Sequence, residues 1–127
     1  MDILFLIGRI LYGGFFLMMG VNHFMKTESM VGYAQSKGVS SAKSMVLFSG
    51  LLIFLGGLGF ILGIAIKWAI ILIAVFLIAV SFKMHAFWKI EDPQEKMAEM
   101  SNFMKNMALL GAALMMWMFS TGWPLAL

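Results

Sequence analysis

The chain has 127 residues, of which 62% are hydrophobic and only 12% charged, about half the charge a soluble domain of this length carries. That composition argues against a water-soluble fold, and the scatter of single basic residues behind the net charge of +3 argues against a nucleic-acid binder. Cysteine is absent, so dithiol catalysis, disulfide staples and iron–sulfur ligation by this chain are excluded, and a redox role needs a bound cofactor or a partner.

The first apolar run, Ile3 to Phe24, is long enough at about 1.5 Å per residue to cross a hydrocarbon core of about 30 Å. Asp2 precedes it, Arg9 is embedded in it and Asn22-His23-Phe24 closes it. A cleaved signal would open on basic residues and close on small ones, so this segment is expected to stay attached. Met25 to Lys43 reads as a loop holding a short interfacial helix, capped by Thr27, with Met30, Val31 and Ala34 on one face and Gly38 ending it. Ser40 or Ser41 starts the second span, Ala42 to Ile66, and Lys67-Trp68 marks a tight turn into a third that runs to Trp88. Asp92 is placed as an N-cap with Pro93 at the first helical position and Glu95 at the third, so the fourth helix begins before the membrane and ends near Phe119.

The expectation is therefore an all-α integral membrane four-helix bundle, one domain over residues 1–127, with spans at 3–24, 42–66, 67–88 and 102–119. With that count both termini share one side. Lys26, Lys37, Lys43, Lys83, Lys89, Lys96 and Lys105 lie in or beside the first and third loops, against Arg9 and Lys67 on the other side. The positive-inside rule puts those loops in the cytoplasm and the termini outside the inner membrane. Trp68, Trp117 and Trp123 at one boundary and Trp88 at the other fit two aromatic belts. The lysine bias, and a first span without a carboxylate, argue against a dual-topology exporter of this size.

Small residues Ser49, Gly56, Gly59 and Gly63 share a face of the second span, as do Ala108 and Ala112 in the fourth, and both stripes read as close helix packing. Met97, Met100, Met104 and Met107 stack along another face, an adaptable apolar surface with Cu(I) binding as the alternative. Ionisable residues inside the bilayer are costly, about 2.5 to 3.5 kcal/mol or more, and so informative. Arg9 is the deepest; Arg9, Tyr12, Phe16, Gly20 and His23 fall on one face of the first helix, with Arg9 about 20 Å from His23. Lys83 and Lys105 are the other embedded charges. Ser81 and His85 share a face of the third span, with Lys83 opposite, and Glu99, Asn102 and Asn106 form a line entering the fourth. His23, His85 and Asn106 thus converge at one depth near the cytoplasmic end. No nucleophile–base pair, phosphate loop or acidic metal cluster stands out, so no catalytic or metal-binding residue is assigned.

Several stretches resemble the DoxX family of small four-helix membrane proteins. They are Gly8-Arg9-Ile10-Leu11, Asn22-His23-Phe24, Tyr33-Ala34 with Lys37-Gly38-Val39, Gly56-Gly57, His85-Ala86-Phe87-Trp88, Asp92-Pro93, and Phe103-Met104-Lys105-Asn106 leading into Ala108-Leu109-Leu110-Gly111. The resemblance covers nearly the whole chain. It implies a compact four-helix bundle and an association with redox biology, through subunits linked to thiosulfate and quinone oxidation and partners of oxidative-stress proteins, and with membrane assembly factors. Many relatives carry an acidic residue midway along the second span, where this chain has Ile53.

Two function classes follow: a redox-associated accessory subunit that interacts with quinone or another small apolar ligand, and a non-enzymatic scaffold or assembly factor. For the first, a polar pocket of His85 and Asn106, edged by His23 and Ser81, suits the carbonyl oxygens of a quinone headgroup. For the second, His85 and Asn106 bond to each other and to backbone and hold two spans together. The expected partners are the lipid bilayer and a redox-enzyme subunit, with homo-oligomerisation left open.

Overall fold

The computed structural model describes residues 1–126 and is helical throughout: α1 (Asp2–Met25), α2 (Thr27–Ser36), α3 (Ala42–Leu62), α4 (Ile66–Met84) and α5 (Pro93–Met116), with 3-10 turns at Phe87–Lys89 and Trp117–Phe119. Three segments are long and apolar enough to cross a membrane: α1, α3, and α4 with its continuation to Lys89. The chain is a membrane protein whose apolar helices contact the bilayer.

The long helices run alternately up and down. α1 packs along α3, α3 on α4 and α4 on α5. α5 closes the arrangement against α1, where the Tyr12 hydroxyl donates to the Leu109 carbonyl at 2.5 Å. One end therefore holds the start of α1, the α3–α4 turn and the segment after α5; here it is termed the terminal end. The other, the loop end, holds α2 and the α4–α5 junction.

Glycine sets the α1–α3 distance. A Cβ placed on Gly13 would lie 2.6 Å from the Gly57 carbonyl oxygen, and one on Gly20 would lie 2.8 Å from Phe54 Cβ. Both pairs of backbones approach too closely for any side chain. The predicted polar face of α1 is its buried face, comprising Arg9, Gly13, Phe16, Gly20 and His23, with Gly13 where Tyr12 was expected. On α5 the buried residues Glu99, Asn106 and Ala113 recur every seven positions, the seam of a left-handed helix pairing. Between them lies a core of Phe16, Ile53, Phe60, Ile70, Ile73 and Leu77, each at most 2% exposed.

Several expected boundaries shift. The second span ends at Leu62, not Ile66, because Gly63 takes the left-handed conformation (φ 71°) and its N–H returns to the Gly59 carbonyl at 2.8 Å. The reversal is thus Gly63–Ala65, and Lys67 and Trp68 already belong to α4. The apolar segment of the third span runs on to Lys89, in line with the expected end at Trp88, while α4 ends as a regular helix at Met84. The following residues fold over the start of α5, where the Phe87 and Trp88 rings each meet Phe103 at 5.5 Å. Thr27 does not cap α2: its hydroxyl donates back to the His23 and Phe24 carbonyls of α1, at 2.7 and 2.9 Å. Trp123 is no belt residue but is buried, edge-on to Phe5 at 5.0 Å. In α5 the buried small residue is Ala113, whereas Ala108 is exposed. The methionines Met97, Met100 and Met104 face outward. Asp92 does cap α5, accepting the Glu95 N–H at 2.9 Å with Pro93 behind it.

Candidate functional site

The loop end gathers its polar groups around one carboxylate. Glu99 lies two turns into α5, so its burial places a charge against α2 and the end of α4. Each oxygen takes two donors. Oε1 accepts from His85 Nδ1 and Asn102 Nδ2, both at 3.0 Å. Oε2 accepts from Lys37 Nζ at 2.8 Å and from the Tyr33 hydroxyl. Tyr33 and Lys37 stand four apart on α2, one turn, so a single face of that short helix delivers both. A small core of Ala34, Ala42 and Val46 fastens α2 to α3 and presents that face inward. His85 stands at the C-cap of α4, directly after the helix ends.

Burial is the largest single influence on Glu99 and opposes its charge, yet the hydrogen bonds from Lys37, Tyr33, Asn102 and His85 together outweigh it and bring the carboxyl down to about 2. Burial first, then the Glu99 hydrogen bond and the negative charges of Glu99 and Glu95, push the Tyr33 phenol well above its usual range. The cluster therefore holds an ionised carboxylate and a phenol that keeps its proton. Because ionised Glu99 only accepts, His85 must present Nδ1–H to it. In neutral His85 this leaves Nε2 with a free lone pair.

The residues read from the sequence fall in different places. Ser81, one turn before His85 on α4, is 0% exposed and its hydroxyl has no hydrogen-bond partner among the described residues. Asn106 is buried on the Glu99 stripe, two turns further along α5, but the scaffold reading expected the His85 imidazole to bond Asn106 or backbone, and among the described residues its ring bonds Glu99 instead. His23 is buried at the loop end of α1, where its Nδ1 lies 2.7 Å from the Met19 carbonyl oxygen and its ring is edge-on to Phe76 at 6.1 Å. Lys83 is exposed, and so is Lys105, whose ammonium rests 5.5 Å from the Phe15 ring centre. Both charges sit on the outer surface, where their long stems reach away from the core, and not inside the bundle.

Arg9 alone among the expected embedded charges is buried, at the terminal end. It closes the C-terminus of α3: Nε donates to the Phe60 carbonyl at 3.1 Å, Nη2 to Ile61 at 2.8 Å and Nη1 to Pro124. Those α3 carbonyls have no partner within the helix, and the charge sits at the negative end of its dipole.

Tyr33, Lys37 and Glu99 are the functional candidates that sequence reading did not assign. Their signals were present, because Tyr33 and Lys37 are one turn apart and Glu99 opens the Glu99–Asn102–Asn106 line. What was missing was the tertiary register that brings α2 against α5.

A family model described as DoxX matches residues 4–86. The match takes in Arg9, His23, Tyr33, Lys37, Ser81 and His85 and ends before Glu99, Asn102 and Asn106. No curated protein and no solved structure matches the chain.

Proposed function

The chain belongs to the DoxX family, and on that premise we propose that it is a membrane accessory subunit that holds a quinone-like ligand at the loop end, beside the His85–Glu99 pair. The observation that carries this reading is the Ser81 hydroxyl, fully buried one turn inside His85 and without a partner among the described residues. Leaving such a group unpaired costs about 1 to 3 kcal/mol. A ligand carbonyl accepting from Ser81 offsets that cost, with the Asn106 amide as a second donor. The Nε2 lone pair of His85, oriented by Glu99, suits the hydroxyl of the reduced form. Redox chemistry itself belongs to the ligand and to a partner enzyme subunit.

The test is to extract the protein in mild detergent and quantify bound quinone by mass spectrometry. Ser81→Ala and His85→Gln are expected to lower bound quinone at least several-fold, Ser81→Ala without loss of folding because it removes no internal bond. Wild-type protein free of quinone, yet recovered with a stable protein partner, sinks this reading and favours a scaffold or assembly factor. One observation supports that second reading: donors from the chain itself occupy both oxygens of Glu99.

We further propose that α5 is a fourth crossing, giving a single four-helix membrane domain. Its polar first turns lower its mean hydropathy, but it spans the full height of the bundle, from Glu99 beside His85 at one end to the following Trp123 against Phe5 at the other. On this reading the loop end faces the cytoplasm and the protein lies in the inner membrane, an orientation supported by the lysines around that end under the positive-inside rule. Single cysteines at Ser40 and Thr121, both exposed, test this: an impermeant thiol reagent should label only the Thr121 variant in intact cells, and labelling of Ser40 alone reverses the topology. Thr121 is the better reporter than its neighbour Ser120, which is buried.

A further inference from the structure

At the terminal end, α4 begins without a side-chain cap. Ala65 occupies the N-cap position in left-handed backbone (φ 50°) and offers only a methyl group. The first N–H of α4 with a partner is that of Ala69, which donates to the Ala65 carbonyl at 3.0 Å. The N–H groups of Ile66, Lys67 and Trp68 have none among the described residues. They point out of the positive end of a 19-residue helix, an arrangement that attracts anions.

A cleft of about 360 Å³ opens on this terminus, with Ala65 to Trp68 on one wall and Ser120 to Trp123 on the other. Ser120 is 8% exposed and lines the cleft, and its hydroxyl has no hydrogen-bond partner among the described residues. Lys67 adds a cation at the rim, its ammonium 5.2 Å from the Trp117 ring centre. A second cleft of about 260 Å³ shares Ala65 and Trp68 with the first. It continues down the outer faces of α3 and α4 between Leu55, Leu58, Leu62 and Leu72, with Gly59 in its lining.

We propose that the two clefts form one lipid-binding site, which takes the phosphate of a phospholipid headgroup at the start of α4 and an acyl chain in the leucine groove. The polar half supplies what a phosphate needs: free backbone N–H groups, a lysine ammonium and an unpartnered hydroxyl. The apolar half distinguishes a lipid from a free anion, because inorganic phosphate has no use for a groove of leucines. Trp68 lines both clefts, and tryptophan favours the level at which a bilayer changes from headgroup to hydrocarbon. The site lies at the opposite end of the bundle from His85 and Glu99 and does not depend on the quinone reading.

Native mass spectrometry of the detergent-purified chain tests it, with phosphatidylglycerol, a diacylglycerol of identical acyl chains, and inorganic phosphate as probes. Phosphatidylglycerol should be retained over diacylglycerol. Lys67→Gln combined with Ser120→Ala should weaken its retention about tenfold, the effect of losing a charge-assisted contact and a hydroxyl. Lys67→Glu, a change at an exposed position that leaves the fold intact, should do the same should the double variant unfold. Leu55→Trp, which obstructs the groove, should reduce retention of the phospholipid and leave the response to inorganic phosphate unchanged. Equal retention of the two lipids, or retention unchanged by Lys67→Glu and Leu55→Trp, overturns the proposal. Saturable binding of inorganic phosphate without lipid preference assigns the cleft to a free anion and overturns it as well.

Discussion

His85 and Glu99 meet at 3.0 Å across the junction of α4 and α5. Four donors converge on that one carboxylate from α2, the end of α4 and α5 itself. The short helix α2 is therefore part of the loop end and not an appendage, because its Tyr33 and Lys37 complete the coordination of a charge carried by the last long helix. Buried charge is tolerated here because every oxygen is paired; removing one partner exposes the cost of the rest.

Glu99→Leu should accordingly be more damaging than the loss of any single donor. It leaves Lys37 and His85 facing an apolar group, and breaking a buried pair costs about 3 to 5 kcal/mol. Tyr33→Phe removes one neutral donor and should cost about 1 kcal/mol. Thermal unfolding in detergent should rank wild type above Tyr33→Phe and both above Glu99→Leu. Hydrogen exchange should show α2 loosening in Glu99→Leu before the long helices do. A Glu99→Leu protein as stable as wild type removes the cluster from any account of the fold.

The same carboxylate sets a pH limit. Its value of about 2 in the folded chain lies below the ordinary 4.5, so unfolding raises its proton affinity. The stabilisation is then fully present above pH 4.5 and is lost as pH falls through about 2. Between pH 5 and 8 Glu99 contributes no slope. Melting curves from pH 7 to pH 2 should fall off in that acid window, and Glu99→Gln should flatten this part of the profile. An unchanged acid slope in Glu99→Gln assigns it to other carboxylates.

The parts of this architecture that repeat along a helix were legible in the sequence. The α1 face from Arg9 to His23, the Asp92–Pro93 start of α5 and the short helix before Gly38 each follow from spacing within one segment. The site was only half legible. Its residues were visible as short lines on separate helices, but which line meets which depends on interhelical register, which no single segment encodes. Depth alone pairs His85 with Asn106, whereas the chain after Met84 leaves the helix and turns His85 towards Glu99. The shortened α3 had a similar cause: Gly63 and Ala65 adopt left-handed backbone, and hydropathy alone runs straight through them.

Glycine spacing on α1 gives a prediction with an internal control. Gly20→Ala forces a methyl group to within 2.8 Å of Phe54 Cβ and 2.9 Å of the Gly50 carbonyl, and should cost about 1 to 3 kcal/mol as the helices separate. Gly14→Ala, on the same helix, meets nothing within 4 Å. It should be neutral or stabilise by up to about 1 kcal/mol through helix propensity. Detergent melting of the two variants decides the matter; equal effects would mean that α1 and α3 do not touch through their glycines.

Arg9 tests whether a buried arginine serves structure at the terminal end. Its three donors reach Phe60, Ile61 and Pro124 carbonyls, so the guanidinium ties the end of α3 to the segment after α5 and rests 5.5 Å from the Trp123 ring centre. Arg9→Met leaves two helix-terminal carbonyls without partners, at about 1 to 3 kcal/mol each. Arg9→Lys keeps the charge but not the planar fork, and an ammonium on a flexible stem cannot serve three divergent carbonyls in that geometry. Thermal midpoints should fall from wild type to Arg9→Lys to Arg9→Met, with hydrogen exchange in the α3–α4 reversal and near Trp123 rising in the same order. A charge-only role predicts full rescue by lysine, and wild-type stability in Arg9→Lys would replace the capping account with that simpler one.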